Sequence, residues 1–567
     1  MSDDTGASPA HPTAPSSQFT YRDLQLLSQS SPESPLRVVA LVDYDSFYAQ
    51  YETLRLGLPP SKPLAVRQWN AIIALNYAAK ERGVKRIMSA DEARRICPDI
   101  VLQHVPTWRE GDDRWRYRDD VLDHLKTDKA SLDPYRGVSR KTMHLVRKLL
   151  PAKPAPTIER AGVDEFYLDL SAQVHRTLVE RFPTLTPTNK SLDNYLPLPA
   201  ADTALQWSKD KIMIPADLQD PDDVLDWDDV VLSIGGSIVR HIREEIKKQL
   251  QLTTSAGISC NKMLAKAASR MNKPAGQTIL RRKSIPIIMP TLKATSLSGL
   301  GRQLGQKVVK TFGSDNIRDL LQVSLTEMRL QLGAEDGQWV YNAIRGDEKG
   351  PVRPRSEVQS LLAAKTFIPK AENLQQADKW LRIFAADLES RLHDLDLDSE
   401  VPRRPRTIAV HHHINGRFGP TRSKQAPISP QIEINKESIF TMLHDLLRDL
   451  TEHGESWPCL GVSVSMSNLD SGLPAPQTGR ITSFFATDNS RSPRKRGREE
   501  DVCDAPGSPA KRQTVASSDA YKSPDATENV TEEHYYMCPN CGEAVQPSYV
   551  LEHLDWHVAM EVQNQQS

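Results

Sequence analysis

Apolar residues run unbroken from Val38 to Val42 and stop at Asp43-Tyr44-Asp45, which predicts a buried strand with two carboxylates at its end. The following "SFYAQYETLR" is helical in pattern. Further on, Phe166, Leu168 and Leu170 alternate with Tyr167 and Asp169, the period of two that marks a strand, and Asp164-Glu165 stand at its start, at a hairpin tip. Residues 359–469 read in order as strand "QSLLAAKTFI", helix "NLQQADKWLRIFAADLESRLHDL", strand "RTIAVHHHI", strand "PQIEI", helix "KESIFTMLHDLLRDL" and strand "CLGVSVSMSNL". That order, β-α-β-β-α-β, predicts a small sheet with two helices on one face. In residues 295–313 helical patterns flank Gly299-Leu300-Gly301, the form of a helix-hairpin-helix turn, whose backbone N–H groups can face a phosphate. The fold class is α+β. Residues 1–35, rich in Ser and Pro, read as a disordered arm, and linker composition returns after Leu469.

Length and composition narrow this little. The chain has 567 residues, 38% hydrophobic and 26% charged, which suits three or four soluble domains. Its start has neither a basic nor an apolar signal segment, and nothing approaches the roughly 18 apolar residues of a membrane span, so the expectation is an intracellular protein without membrane contact. The six cysteines form no disulfide framework; only Cys538 and Cys541 are spaced for a task. Charge is more informative. Residues 523–567 hold eight acids and no Lys or Arg, so a net charge of −1 leaves +7 on residues 1–522, which permits a basic surface for nucleic acid there.

Two acidic pairs at strand ends, if their strands are neighbours, make a site for two Mg²⁺ ions. Mg²⁺ takes hard oxygen ligands, and a pair of ions about 4 Å apart steadies both the attacking and the leaving oxygen of phosphoryl transfer. Either pair alone could be a turn or cap, the reading we favour for Asp45, which directly precedes a helix. "IIALNYAAKERGVKRIM" places Tyr77 and Lys80 one turn apart, with Arg86 on a loop; "GISCNKMLAKAASRMNKPAGQT" adds Lys262, Lys266 and Lys273. Cations beside a di-metal site are what a nucleoside triphosphate needs.

"VDYDSFYAQYE", "IIALNYAAKERGVKRIM", "ERAGVDEFYLDLS" and "AGISCNKMLAKAASRMNKP", in this order, resemble the Y-family translesion DNA polymerases, and among them the eta type, over roughly residues 36–470. The resemblance implies a right-hand architecture: palm at 36–46 and 113–283, fingers at 47–112, thumb at 284–355, little finger at 356–470. It implies that Asp43, Asp164 and Glu165 are catalytic metal ligands together with the Tyr44 carbonyl. It makes Tyr48 the steric gate against ribonucleotides; Tyr77, Lys80, Arg86 and Lys273 triphosphate contacts; and Gln68 a contact to the templating base. Lys80 stands where the family more often has Arg, so a bidentate phosphate contact becomes a point charge. Residues 172–230 exceed the family pattern and are expected to be a surface insertion, and the loop after Gln68 is short, leaving the alignment between Trp69 and Ile72 open. Arg403, Arg404, Arg406, Arg417, Arg422 and Lys424 flank the little-finger strand and are expected to face DNA. A nucleotide cyclase would share paired acids but would not continue into a thumb and a second β-α-β-β-α-β domain. A dead scaffold would be expected to lack one of the acids. The kappa and iota types of polymerase fit the two ends of the chain less well.

The tail has its own chemistry. Cys538-x2-Cys541-x11-His553-x3-His557 is a strong zinc signal with a ββα look, in a module placed at 532–563. Its acidity removes the phosphate term on which DNA affinity rests, so a protein partner is expected. The motif resembles ubiquitin-binding zinc fingers, which implies Asp555 and Ala559 as ubiquitin contacts. Within the linker at 471–531, "TGRITSFFA" spaces Ile481, Phe484 and Phe485 as in a sliding-clamp peptide, with Thr478 in the usual Gln position. The same Phe pair could instead serve another translesion polymerase. "RKRGR" and Lys511-Arg512 read as a two-part nuclear import signal, flanked by Ser492 and Ser508, each before a proline and candidates for phosphorylation. The expected partners are primer-template DNA, dNTP, the clamp and ubiquitin; the expected cofactors are two Mg²⁺ and one Zn²⁺; the expected compartment is the nucleus.

Overall fold

The computed structural model describes residues 16–469 apart from 187–190, 201, 204, 206–210, 214–224, 302, 355–357, 398–401, 415–420 and 453–455, and beyond them only two short strands. The chain divides into two units, Gly472–Thr531 and the remainder. The first surprise is at the start. Strand β1 (Ser16–Thr20) and helix α1 (Tyr21–Ser28) are ordered, so residues 16–35 are not a disordered arm. Phe19, Tyr21, Leu24 and Leu27 bury themselves in the main core, and a capping box between Thr20 and Asp23 starts the helix. Six serines and two prolines stand among the twenty residues 16–35, but helical spacing of Tyr21, Leu24 and Leu27 decides the segment's fate.

Strand β2 (Val39–Tyr44) and helix α2 (Phe47–Arg55) follow as expected. A three-stranded sheet comes next, from β3 (Leu64–Gln68), β4 (Ala71–Leu75) and β5 (Val101–His104), with helices α3 (Tyr77–Glu81) and α4 (Ala90–Ile96) between β4 and β5. Short strands β6 (Thr107–Trp108) and β7 (Lys129–Ala130) pair and lead into helix α5 (Asp133–Leu149), the hairpin β8 (Thr157–Arg160) and β9 (Glu165–Asp169), and helix α6 (Ser171–Arg181). Residues 172–230 are not a mere surface insertion. Val174 and Leu178 of α6 are in the core, β10 (Tyr195–Pro197) pairs with β1, β11 (Lys211–Met213) joins the central sheet, and helix α7 (Trp227–Leu250) begins there with Trp227 buried.

Strand β12 (Thr254–Ser259), helix α8 (Lys262–Met271) and strand β13 (Gln277–Leu280) complete a six-stranded sheet in the order β11-β13-β12-β2-β9-β8. Central β2 is buried on both faces: Val38, Ala40 and Val42 pack in the core with α5, α6 and α7, while Val39 and Leu41 meet Ala265 of α8 and Val352. This explains why its sequence is a continuous apolar run rather than an alternation. Helix α8 lies so close to β12 that a Cβ on Gly257 would stand 2.1 Å from the Ala265 carbonyl oxygen.

A helical region follows, with α9 (Ile285–Ile288), α10 (Gln303–Phe312), α11 (Ile317–Leu320), α12 (Leu325–Leu332) and α13 (Ala334–Ala343) around their own core. The Gly299 turn is present at φ +91°, but the element before it is a single 3-10 turn, Ala294–Ser296, rather than a full helix of a helix-hairpin-helix.

The final region has β14 (Ser360–Ala371), α14 (Leu374–Leu397), β15 (Thr407–His413), β16 (Thr421–Pro427), α15 (Lys436–Thr451) and β17 (Cys459–Ser467), an antiparallel sheet in the order β14-β17-β15-β16. The element order holds, but the fourth element is β16 and not "PQIEI", which forms a turn before the Asn435 cap of α15. An edge strand of polar residues, "TRSKQAP", carries no apolar signal, whereas the isoleucines of "PQIEI" do. This region meets β7 and α5 through charges: the buried pairs Lys129 of β7 with Asp387 at 2.8 Å and Arg391 with Asp133 at 3.7 Å, and the partly exposed pair Arg140 with Asp394 at 3.1 Å. Trp108 is buried in the same core as β14 and α14. No helix among the described residues is long and apolar enough to cross a membrane.

Candidate active site

The two acidic pairs meet because β2 and β9 are antiparallel neighbours. Asp43 lies opposite Glu165 in the ladder, and the Tyr44 amide donates to the Asp164 carbonyl oxygen at 3.0 Å. Three carboxylates and the Tyr44 backbone thus share one end of the sheet. Burial, with Glu165 and Asp164 adding to it against the pull of Lys273, pushes the Asp43 carboxyl up to about 6; burial and then Glu165 raise Asp164. Crowded carboxylates of this kind call for positive charge. Two ammonium groups supply it: Lys273 bonds Asp43 at 2.6 Å and Lys266 bonds Glu165 at 2.8 Å. As the side chains stand, no three carboxylate, histidine or cysteine groups among the described residues converge on one point. The donor set is hard oxygen throughout and suits Mg²⁺, whose arrival would have to displace Lys273 and Lys266 from their carboxylates.

Cations line the adjoining wall. Asn76 caps α3, which holds Tyr77 and Lys80; the Lys80 amine donates to Ser46 Oγ at 3.0 Å and lies 4.4 Å from the centre of the Tyr77 ring. Burial and then nearby Lys273 lower the Lys80 pKa, while burial and then Asp45 push the Tyr77 hydroxyl up to about 12. Arg86 stands exposed on the turn after α3. Two ammonium groups close enough to repel one another are a seat for an anion. Lys262, by contrast, bonds both oxygens of Glu159 at 2.8 Å and belongs to the framework.

Tyr48, on the first turn of α2, stacks on Tyr135 at 4.1 Å between ring centres, and burial followed by the charge of Asp164 raises its hydroxyl pKa. The Tyr135 and Tyr117 hydroxyls both donate to Glu52, which is fully buried, at 2.8 and 2.7 Å. Gln68 ends β3, half-buried, and the segment left open in the alignment is a two-residue turn, Trp69–Asn70. Trp69 adopts φ +55°, donates its amide to His104 Nε2 at 2.7 Å and lies under the Lys365 amine at 4.7 Å.

Several placements differ from expectation. Asp45 is no cap: Ser46 occupies the cap position of α2 without a side-chain capping bond to the helix, and Asp45, 2% exposed, bonds Ser255 and the Ala275 amide instead. Its partners are far along the chain, so no local pattern could reveal them. Of the basic residues flanking β15 and β16, Arg404 donates to the carbonyls of Ser429 and Ile432, Arg422 to Ser456 at 3.0 Å, and Lys424 pairs with Asp449 at 2.8 Å. They hold the domain together as much as they present charge. Arg417 lies outside the described residues, as do the zinc ligands Cys538, Cys541, His553 and His557, the ubiquitin contacts Asp555 and Ala559, and the clamp residues Thr478, Ile481, Phe484 and Phe485. Around the cysteine pair the described strands are β18 (Tyr536–Met537) and β19 (Ala544–Val545), which pair antiparallel.

Comparison with known proteins places the chain in a family. The impB/mucB/samB family model matches residues 42–270, the C-terminal domain model of that family matches 358–480, and the ubiquitin-binding zinc finger model matches 534–565. The chain belongs to the impB/mucB/samB family, the Y-family DNA polymerases, and carries a zinc finger of the ubiquitin-binding family at its C-terminal end. It is 32% identical to the N-acetyltransferase eso1 of Schizosaccharomyces pombe over 96% of this chain and 64% of that protein. It is 26% identical to DNA polymerase eta of Saccharomyces cerevisiae over 80% of each chain, and 30% identical to DNA polymerase eta of Arabidopsis thaliana over 77% of this chain and 64% of that protein. The chain therefore spans somewhat under two thirds of the first of these relatives. Membership implies a divalent metal and, in the finger, zinc.

Proposed function

We propose that this chain is a nuclear DNA-directed DNA polymerase of the eta type that copies past damaged bases, such as a UV thymine dimer, without proofreading. The observation that carries the reading is Asp43 facing Glu165 across the ladder beside Asp164, with Lys273, Lys80 and Tyr48 around them. Asp43, Asp164, Glu165 and the Tyr44 carbonyl would hold two Mg²⁺ ions, which when bound steady the attacking 3′-oxygen and the leaving pyrophosphate oxygen. Residues of the chain do the rest. Lys80, Lys273, Tyr77 and Arg86 take the triphosphate, Tyr48 lies under the sugar where a 2′-hydroxyl would collide with its ring, and Gln68 meets the templating base. The segments 36–46 with 113–283, 47–112, 284–355 and 356–470 act as palm, fingers, thumb and little finger. One Zn²⁺ on Cys538, Cys541, His553 and His557 would fold the finger, with Asp555 and Ala559 toward ubiquitin; Ile481, Phe484 and Phe485, with Thr478, would engage the sliding clamp.

Primer extension on a template with a cyclobutane thymine dimer tests this. The wild-type chain should extend past the dimer with Mg²⁺ and stop without it, and Asp164→Ala with Glu165→Ala should abolish extension while primer-template binding persists. Turnover near wild type in the double variant would sink the active-site assignment.

A further inference from the structure

We infer that Asp45 is a positioning residue for the nucleotide-binding lysine, acting through the loop that carries Lys273. This rests on the reading of Lys273 as a triphosphate contact. Asp45 is 2% exposed, and each of its carboxylate oxygens has a partner on a different element: Oδ1 accepts from Ser255 Oγ of β12 at 2.6 Å, and Oδ2 accepts from the Ala275 amide at 2.9 Å. Its own amide donates to the Thr253 carbonyl at 3.2 Å, which ties its backbone to the start of β12.

Ala275 is two residues from Lys273 and adopts φ +55°, a left-handed conformation unfavourable for a residue with a Cβ. Such a conformation persists only where the surroundings hold it. Here the loop is gripped from two sides: Asp45 takes the Ala275 amide, and Arg243 donates to the Ala275 carbonyl at 2.8 Å. The next residue closes the turn, since a Cβ on Gly276 would stand 1.9 Å from the Asn272 carbonyl oxygen. Lys273 therefore leaves a rigid loop. Its amine reaches Asp43, two residues from Asp45 on the same strand end.

A carboxylate in this place fixes the distance between the strand that bears the catalytic acid and the loop that bears the phosphate-binding amine. Without it the Ala275 amide loses its partner, the loop relaxes toward right-handed backbone, and the lysine no longer starts from a fixed point. Preorganisation of this kind appears in substrate binding before it appears in folding.

Single-nucleotide insertion kinetics on undamaged primer-template test the inference, with melting temperature and primer-template affinity measured alongside. Asp45→Ala should raise KM for the dNTP about tenfold with kcat changed much less, as Lys273→Ala should. Asp45→Asn should restore KM to within about twofold of wild type, because its Oδ1 can still accept the Ala275 amide while Nδ2 donates to Ser255 Oγ. In the double variant Asp45→Ala with Lys273→Ala, KM should be no higher than in Lys273→Ala alone, since both changes remove the same contact. Ser255→Ala, which frees one arm of the carboxylate in an otherwise intact site, should raise KM by a smaller factor and serves if Asp45→Ala does not fold. Unchanged KM in the folded Asp45→Ala protein, or in Ser255→Ala where the alanine at 45 does not fold, overturns the inference, as does an Asn variant as impaired as Ala or an additive double variant. Unchanged KM in Lys273→Ala overturns the reading on which it rests.

Discussion

Single carboxylates in this chain have fates that only their surroundings decide. Asp228, in the first turn of α7, is 2% exposed and neither oxygen has a hydrogen-bond partner among the described residues. Burial, with Asp229 and Asp226 nearby, pushes its carboxyl up from 3.8 to about 6. The folded chain thus keeps this proton to higher pH than the unfolded chain, so the stability linked to it is fully present below 3.8 and is lost as pH rises through 6. At pH 8 the ionised, unpaired group costs on the order of 2–3 kcal/mol. Asp228→Asn should raise the melting temperature at pH 8 by roughly 3 °C, with the difference shrinking as pH falls below the folded pKa; a gap that did not change with pH would show that ionisation is not its cause. At Tyr48 the test is chemical. Tyr48→Ala should increase ribonucleotide insertion far more than it lowers deoxynucleotide insertion, and unaltered sugar discrimination in kcat/KM would leave Tyr48 as a core aromatic stacked on Tyr135. The convergence of Asp43, Asp164, Glu165 and Lys273 was legible in the sequence because each stands beside a local pattern, a strand end or a basic helix. Asp45 and Glu52 were not, because their meaning lies in partners such as Ser255, 210 residues away, and Tyr135, 83 residues away.

At the scale of elements, periodicity carried the reading where one face is apolar and failed where it is not. Strand β9 and helix α15 announce themselves by period; β16, an edge strand whose only apolar residues are Ala426 and Pro427 at its end, does not, and "PQIEI" beside it carries the stronger apolar signal. Composition misled in residues 16–35 for the opposite reason, since four well-spaced apolar side chains outweigh many serines and prolines once a core is available to receive them. The contact of β7 and α5 with α14 is of a third kind, built on charge. Asp387 is fully buried between Lys129 and Arg391, themselves 9% exposed, and Arg391 also faces Asp133. Neither helix shows this alone, because each charged residue reads as solvated until the other helix covers it. Asp387→Ala leaves two buried cations short of a partner and should destabilise the contact by about 3–5 kcal/mol. Limited proteolysis should then release a fragment beginning near residue 356, and joint replacement of Lys129 and Asp387 by methionine and leucine should restore much of the resistance. Cleavage kinetics equal to wild type in Asp387→Ala would mean that apolar packing around Trp108 carries this interface by itself.

For the whole molecule the proposed function raises the question of how such a polymerase would reach a stalled primer end, and the proposed answer is two weak handles in the tail in place of one strong one. The zinc finger lies in a stretch of eight acids with no Lys or Arg, so it gains nothing from DNA phosphates. A module of about thirty residues cannot stand on apolar burial, so metal must hold it together, and His557→Ala should lose both fold and ubiquitin binding while Asp555→Ala keeps the fold and weakens binding. About 50 residues separate Phe485 from Cys538, and a segment of that length with linker composition would span on the order of 40 Å if it behaved as a coil. Under the proposed function, that reach would let Ile481, Phe484 and Phe485 rest on a clamp while the finger takes a ubiquitin attached to the same clamp, so that the second contact would form at high effective concentration. The full-length chain should therefore bind ubiquitinated clamp at least tenfold tighter than unmodified clamp. Asp555→Ala should erase most of that difference, and Phe484→Ala with Phe485→Ala should weaken binding to both forms. Titrations of labelled clamp with each variant read this directly. Equal affinity of the wild-type chain for the two clamps would exclude the finger as reader of the modification, and unchanged binding in the Phe484, Phe485 variant would assign that pair to a different partner.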